Sequence, residues 1–216
     1  MRVPIRELGS DELARLYGPW SGRLPADAAR LFANYRGLWW IAGGWAIEAF
    51  TGVERHHDDL DLEVPRVDLP QLRGHLADRL DVWTASDGSL RPLLPGDDPD
   101  GSADVVLPPG CGQLWLRHSG AEPWEYDVLL MTGDHDMWEF KRDRRIRLPL
   151  SEIRWFHDQV PYLRPEVQLL LKAQGLRAKD QGDFDVVLPA LDRARRTWLR
   201  EALSLAHPGH RWLAAL

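Results

Sequence analysis

Two aspartates one residue apart, Asp59 and Asp61 in HDDLDLEVP, are the first residues whose types and spacing suggest chemistry. The stretch 57–65 alternates: Asp59, Asp61 and Glu63 share one side, and Leu60, Leu62 and Val64 the other. Period two predicts a strand, with the two aspartates about 6–7 Å apart at Cα. Carboxylates held that close repel unless something positive sits between them. Hard oxygen donors select Mg²⁺ or a similar cation, which can clamp a phosphate during in-line displacement. Taken alone, the pair is more simply a solvated polar face on an edge strand. Asp127, in WEYDVLLM, shares its strand face with Glu125 and Leu129. Its apolar neighbours predict a central strand, where a carboxylate either binds metal or pairs with an arginine. Gly43-Gly44 follows the apolar run LWWIA and precedes the helical WAIEAF. Glycines there let a phosphate approach the backbone and the free N–H groups of a helix start, although a bare Gly-Gly can also be only a turn.

The elements that must position these residues alternate between the two periodicities. Helices are expected at 10–16, with Ser10 as cap, and at 25–35; a buried strand runs from Leu38 into the glycines. Asp68 is expected to cap a helix through Leu80, with Leu69, Leu72, Leu76 and Leu80 as one stripe. Between 81 and 131 the chain reads as short strands, at 112–118 and 124–131, with loops at 95–101 and 108–112. Residues 138–150 read as one or two more strands. Pro165 opens a helix through EVQLLLKAQGL, and a last helix spans about 189–206. The expected fold is α/β (α+β): a mixed-sheet core, 1–157, followed by a C-terminal helical segment, 158–216.

Composition narrows the function. The chain has 216 residues, of which 44% are hydrophobic and 28% charged, with 11 Trp, so it can bury a core. No apolar run approaches the roughly 18 residues of a membrane span, and the first residues lack a signal-peptide core. A single cysteine excludes an internal disulfide and a CxxC metal site, and the cytoplasm is the expected compartment. The formal net charge of −6 disfavours a long nucleic acid as partner. Only three of the 27 basic residues are lysines, Lys141, Lys172 and Lys179. Arg142 and Arg145 could meet phosphates or belong to a solvated charge run. Trp45 and Trp138 could stack on a base or lie in the core.

The order of these features resembles the nucleotidyltransferase superfamily that includes DNA polymerase β. The stretch GGWAIEAFTGVERHHDDLDLEV, 43–64, is similar to the bacterial aminoglycoside 2″-adenylyltransferases and their uncharacterised relatives. It has the GGWA start, an arginine before the acidic strand, and an HxDxD core at His57, Asp59 and Asp61. EPWEYDVLLM, WEFKRDRRIRLPL and the block 162–191 resemble the later parts of those relatives, so the likeness covers about 38–191. It implies that Gly43 and Gly44 sit against a nucleoside triphosphate and that Asp59 and Asp61 bind Mg²⁺. Asp127 would complete the set as ligand or as general base, with Glu125 as the other candidate base. Lys172 would reach the phosphates, and Lys179 and Asp180 match a KD pattern that can simply order a turn. By residue type, His57 could be a ligand, could orient Asp59 by a hydrogen bond, or could be an exposed histidine outside the site. The implied reaction moves a nucleoside monophosphate from ATP, or another NTP, to a hydroxyl of a small-molecule acceptor such as an aminoglycoside, releasing pyrophosphate, as antibiotic-resistance enzymes do. A protein or RNA acceptor, or a catalytically silent nucleotide-binding module, are the alternatives.

Overall fold

The computed structural model describes residues 9–98 and 100–216. In chain order the elements are α1 (Ser10–Tyr17), α2 (Pro25–Leu31), β1 (Trp40–Ile41), α3 (Gly43–Thr51), β2 (Asp61–Pro65), α4 (Leu69–Leu76), β3 (Asp81–Ser86), β4 (Ser89–Pro92), α5 (Ala103–Val106), β5 (Gln113–Arg117), β6 (Tyr126–Met131), β7 (Met137–Glu139), β8 (Arg147–Pro149), β9 (Arg154–His157), β10 (Val160–Leu163), α6 (Pro165–Lys172), α7 (Ala178–Val187) and α8 (Arg193–Ala206). Eight of the strands form one mixed sheet, in the order β4-β3-β5-β6-β2-β1-β10-β9, and β7 and β8 form a separate ribbon. The expected mixed α/β class is the one found.

Two parallel pairings hold the centre together. β2 lies parallel to β6, and β1 parallel to β10. Chains so paired need a covered sheet, and the alternation in β2 supplies the apolar side: Leu60, Leu62 and Val64 are fully buried. Helices α3, α6 and α7 pack on one another beside this centre. The sheet extends through β10 to Leu163, and the helices of the C-terminal part begin at Pro165, at the first position of α6, where a missing N–H is harmless. Among the described residues no helix is long and apolar enough to cross a membrane.

Several local expectations are corrected. β2 begins at Asp61, so Asp59 lies in a bend before the strand. β1, the strand's antiparallel neighbour, is only two residues long and pairs with Leu62 and Glu63, so no ladder extends to hold Asp59 in a pleat. Helix α1 begins at Ser10 itself, with Gly9 in the cap position. Asp68 does not cap α4; its carboxylate accepts from Nε2 of His135 at 2.7 Å, and the helix ends at Leu76. The last helix starts at Arg193, where Asp192 accepts the N–H of Arg195 at 2.9 Å, an N-cap three residues after Pro189, which lies in a separate turn (Leu188–Ala190). Helix α7 was not legible from hydrophobic periodicity, because AKDQGDFDVV buries Asp180 and Asp183 along with Phe184 and Val187.

Candidate active site

The parallel register of β2 and β6 sets Asp61 directly opposite Asp127, and the backbone N–H of Asp127 donates to the carbonyl of Leu60 at 3.2 Å. Asp59 reaches the same point from its bend. One carboxylate oxygen from each of Asp59, Asp61 and Asp127 lies within 4.8 Å of the others. Asp127 is buried, at 5% exposure, and the other two are half-buried. Burial, and after it the charge of Asp59, pushes the Asp61 carboxyl up to about 6, against the opposing pull of Lys172, Lys179 and Arg177. Burial and then the charges of Asp61 and Asp59 hold Asp127 well above the usual carboxylate range. Such an assembly is a stressed acid cluster until a cation joins it. Oδ2 of Asp127 accepts from Nε2 of Gln113 at 2.5 Å, while Oδ1 is buried with no hydrogen-bond partner. An orphaned buried oxygen, in a set of three hard donors within reach of one ion, fits a divalent cation such as Mg²⁺.

Glu125 is engaged elsewhere. Its two oxygens take the guanidinium of Arg23 and the backbone N–H of His118 (3.1 Å). Glu63, the third acid of the β2 face, is buried, accepts from the indole of Trp40 at 2.7 Å, and is pushed up to about 7 by burial.

The glycine pair divides its work. Gly43 has φ +65°, and a Cβ there would lie 1.8 Å from Oδ2 of Asp61. Glycine is therefore required twice, for the left-handed backbone and for the approach to the carboxylate. Its N–H donates to Oε1 of Gln168 on α6 at 2.7 Å. Gly44 turns the other way: a Cβ there would strike Nη2 of Arg55 at 2.0 Å and Nδ1 of His57 at 2.7 Å. His57 pairs with Glu48 at 2.8 Å and stacks on Trp45 with ring centroids 4.1 Å apart. Burial lowers its pKa, its Nδ1 faces Gly44, and the ring's side-chain partner is Glu48 where Asp59 was expected. The structure thus brings together Gly43, Asp59, Asp61 and Asp127, with Gly44, His57 and Trp45 forming their support. Replacement Gly43→Ala should abolish any activity at the cluster and destabilise the fold by at least about 1–2 kcal/mol from the backbone alone. Thermal melting and turnover of the variant check this.

An open cleft of about 530 Å³ lies between the sheet and the helices α6 and α7. Gly43, Asp61, Glu63, Lys141, Gln168 and Lys172 are among its lining residues. Lys172 is buried, with its ammonium 2.9 Å from Asp183 and 3.4 Å from Asp180. Asp183 also takes Arg55 at 3.1 Å, and Asp180 takes the Arg177 guanidinium at 2.8 Å and the Arg177 N–H at 3.2 Å. The KD pair therefore does order the turn into α7 through Asp180, and Lys179 is exposed. Removing one partner of such a buried network leaves uncompensated charge. Lys172→Met should cost roughly 3 kcal/mol, a fall in Tm of roughly 6–12 °C. A variant melting with the wild type would show that the ammonium does not balance these aspartates.

Arg142 lines the cleft, lies 5.5 Å from the centroid of the Phe140 ring, and donates to the carbonyl of Leu171 at 3.4 Å. Arg145 pairs with Asp143 on an exposed turn and is not among the cleft's lining residues. Trp138 is buried, at 2% exposure, with one edge on the cleft. Gln113 and Gln168 are contacts that sequence reading missed, since an amide has no periodicity or charge signal of its own.

Comparison with known proteins fits this geometry. Residues 27–88, which contain both glycines and the 59/61 pair, match the family described as aminoglycoside-2″-adenylyltransferase. A search of curated proteins gave no match. Among solved structures, the chain is similar to ANT(2″)-Ia in complex with adenylyl-2″-tobramycin, with 14% identity over 82% of this chain and 92% of that one, and a TM-score of 0.51. The lincomycin-bound lincosamide antibiotic adenylyltransferase LnuA aligns with 16% identity over 75% of this chain and 92% of that one, with a TM-score of 0.47. The comparisons give the chain the fold of ANT(2″)-Ia and, over residues 27–88, a match to the aminoglycoside-2″-adenylyltransferase family. The matched segment is the one that carries the GGWA and HxDxD motifs.

Proposed function

We propose that the protein transfers a nucleoside monophosphate from ATP to a hydroxyl of a small, cationic acceptor of the aminoglycoside kind, releasing pyrophosphate. The observation that carries this reading is the convergence of Asp59, Asp61 and Asp127 within 4.8 Å beside an open cleft. These three carboxylates would hold Mg²⁺, which supplies charge neutralisation at the phosphates. Gly43 has no Cβ to obstruct a triphosphate, and Lys172 adds positive potential to the cleft wall. Asp127 would also take the proton of the acceptor hydroxyl. The acceptor oxygen bonds to the α-phosphorus, the bond from that phosphorus to the β-bridging oxygen breaks, and pyrophosphate departs. A net charge of −6 favours an acceptor of opposite sign. The cytoplasm, which holds ATP and Mg²⁺, is the compartment this reading requires.

Radiolabelled ATP with a panel of aminoglycosides and lincosamides tests it. Label should move to an acceptor only with a divalent ion present. Pyrophosphate release without labelled antibiotic would exclude that acceptor class, and no release with any acceptor would overturn the reaction.

A further inference from the structure

We propose that Gln113 is the positioning residue of the third carboxylate, a role that rests on the metal-assisted reading above. The geometry is specific. Gln113 opens β5 and faces Leu129 in the antiparallel register with β6, while Trp115 faces Asp127. Gln113 is therefore the diagonal neighbour of Asp127, at a distance that a long side chain spans. Its Nε2 donates to Oδ2 at 2.5 Å. Only the amide nitrogen can face a carboxylate oxygen, so the orientation of the side chain is defined by charge.

The consequence concerns the other oxygen. The terminal torsion of an aspartate is soft, and an unrestrained Asp127 would sample several orientations. With Oδ2 held by Gln113, Oδ1 is left buried with no hydrogen-bond partner, and one oxygen of this carboxylate lies within 4.8 Å of those of Asp59 and Asp61. An amide donor thus fixes where the third oxygen ligand points. The same side chain borders a second cavity, of about 940 Å³, which shares Lys141, Arg142 and Gly112 with the first cleft.

The experiment uses Gln113→Met, close in shape but without a donor, and Gln113→Leu as a second packing. Mn²⁺ titration followed by electron paramagnetic resonance reports ion binding with no acceptor present. Both variants should bind Mn²⁺ about 10–100-fold more weakly than wild type, as loss of an outer hydrogen bond to a metal ligand does. kcat should fall while KM for ATP changes little, and Tm should stay close to the wild-type value. In an Asp127→Asn background the same substitutions should have no further effect on Mn²⁺ affinity. Wild-type Mn²⁺ affinity in both variants, or an undiminished loss in the Asp127→Asn background, overturns the role of Gln113 alone. A wild-type protein that binds no Mn²⁺ overturns the metal reading and this role together.

Discussion

Asp61→Asn is expected to eliminate nucleotidyl transfer, by a factor on the order of 10³ or more, while making the metal-free protein more stable. The two effects share one cause. Asp61 faces Asp127 across the parallel pair and stands near Asp59, so its charge serves a cation and is otherwise opposed by its neighbours. An amide of the same shape removes that repulsion and can donate to either remaining carboxylate, which relieves a buried charge but weakens the ion site. Pyrophosphate release measures the first effect, and calorimetry in a chelator the second. A rise in Tm of about 2–4 °C corresponds to roughly 1 kcal/mol for a chain of this size. An active Asp61→Asn enzyme would refute the site. An inactive variant that melts far below wild type would show only that Asp61 is needed for folding.

The second large effect is the pH dependence of stability and its reversal by metal. The folded Asp61 carboxyl titrates at about 6 against an ordinary value of 3.8, and Asp127 is shifted the same way. Folded protein therefore binds these protons more tightly than unfolded chain does. The associated stability is fully present below about pH 4 and is lost as pH rises through about 6. Its upper size is a few kcal/mol. Other carboxylates, such as Asp143 with its guanidinium partner, titrate in the opposite direction, so the cluster is isolated by subtraction. The Tm difference between Asp61→Asn and wild type, both in chelator, should widen from pH 4.5 to 7.5. Mg²⁺ needs the deprotonated cluster, and a ligand at 100 times its Kd contributes about 2.7 kcal/mol. Stabilisation of wild type by Mg²⁺ should therefore grow over the same interval and be nearly absent in Asp61→Asn. A Tm difference independent of pH would mean that the three acids do not share a charge problem.

The residues legible in the sequence were those that carry a local signal. Alternation in 57–65 marked the acidic and apolar sides of β2, two glycines after an apolar run marked the turn into α3, and apolar neighbours placed Asp127 in a central strand. What local pattern does not contain is the assignment of partners. Glu125 and Asp127 share a strand face in the sequence, yet Glu125 takes Arg23 and Asp127 joins Asp59 and Asp61. Lys172 reads as a lone cation, but α7 brings two buried aspartates to it. Trp45 and His57, each a possible ligand contact by type, stack on one another.

By itself the sequence determined the alternation, the turns and the chemical types at hand, because periodicity and backbone preference act between near neighbours in the chain. Only the tertiary structure decided which acids meet and which are neutralised. That choice is made by one parallel register between β2 and β6 and by amides at Gln113 and Gln168, whose contacts span 14 and 125 residues. A hydrogen bond over such a separation is specified by the packing of the whole sheet and helices, which no window of sequence contains.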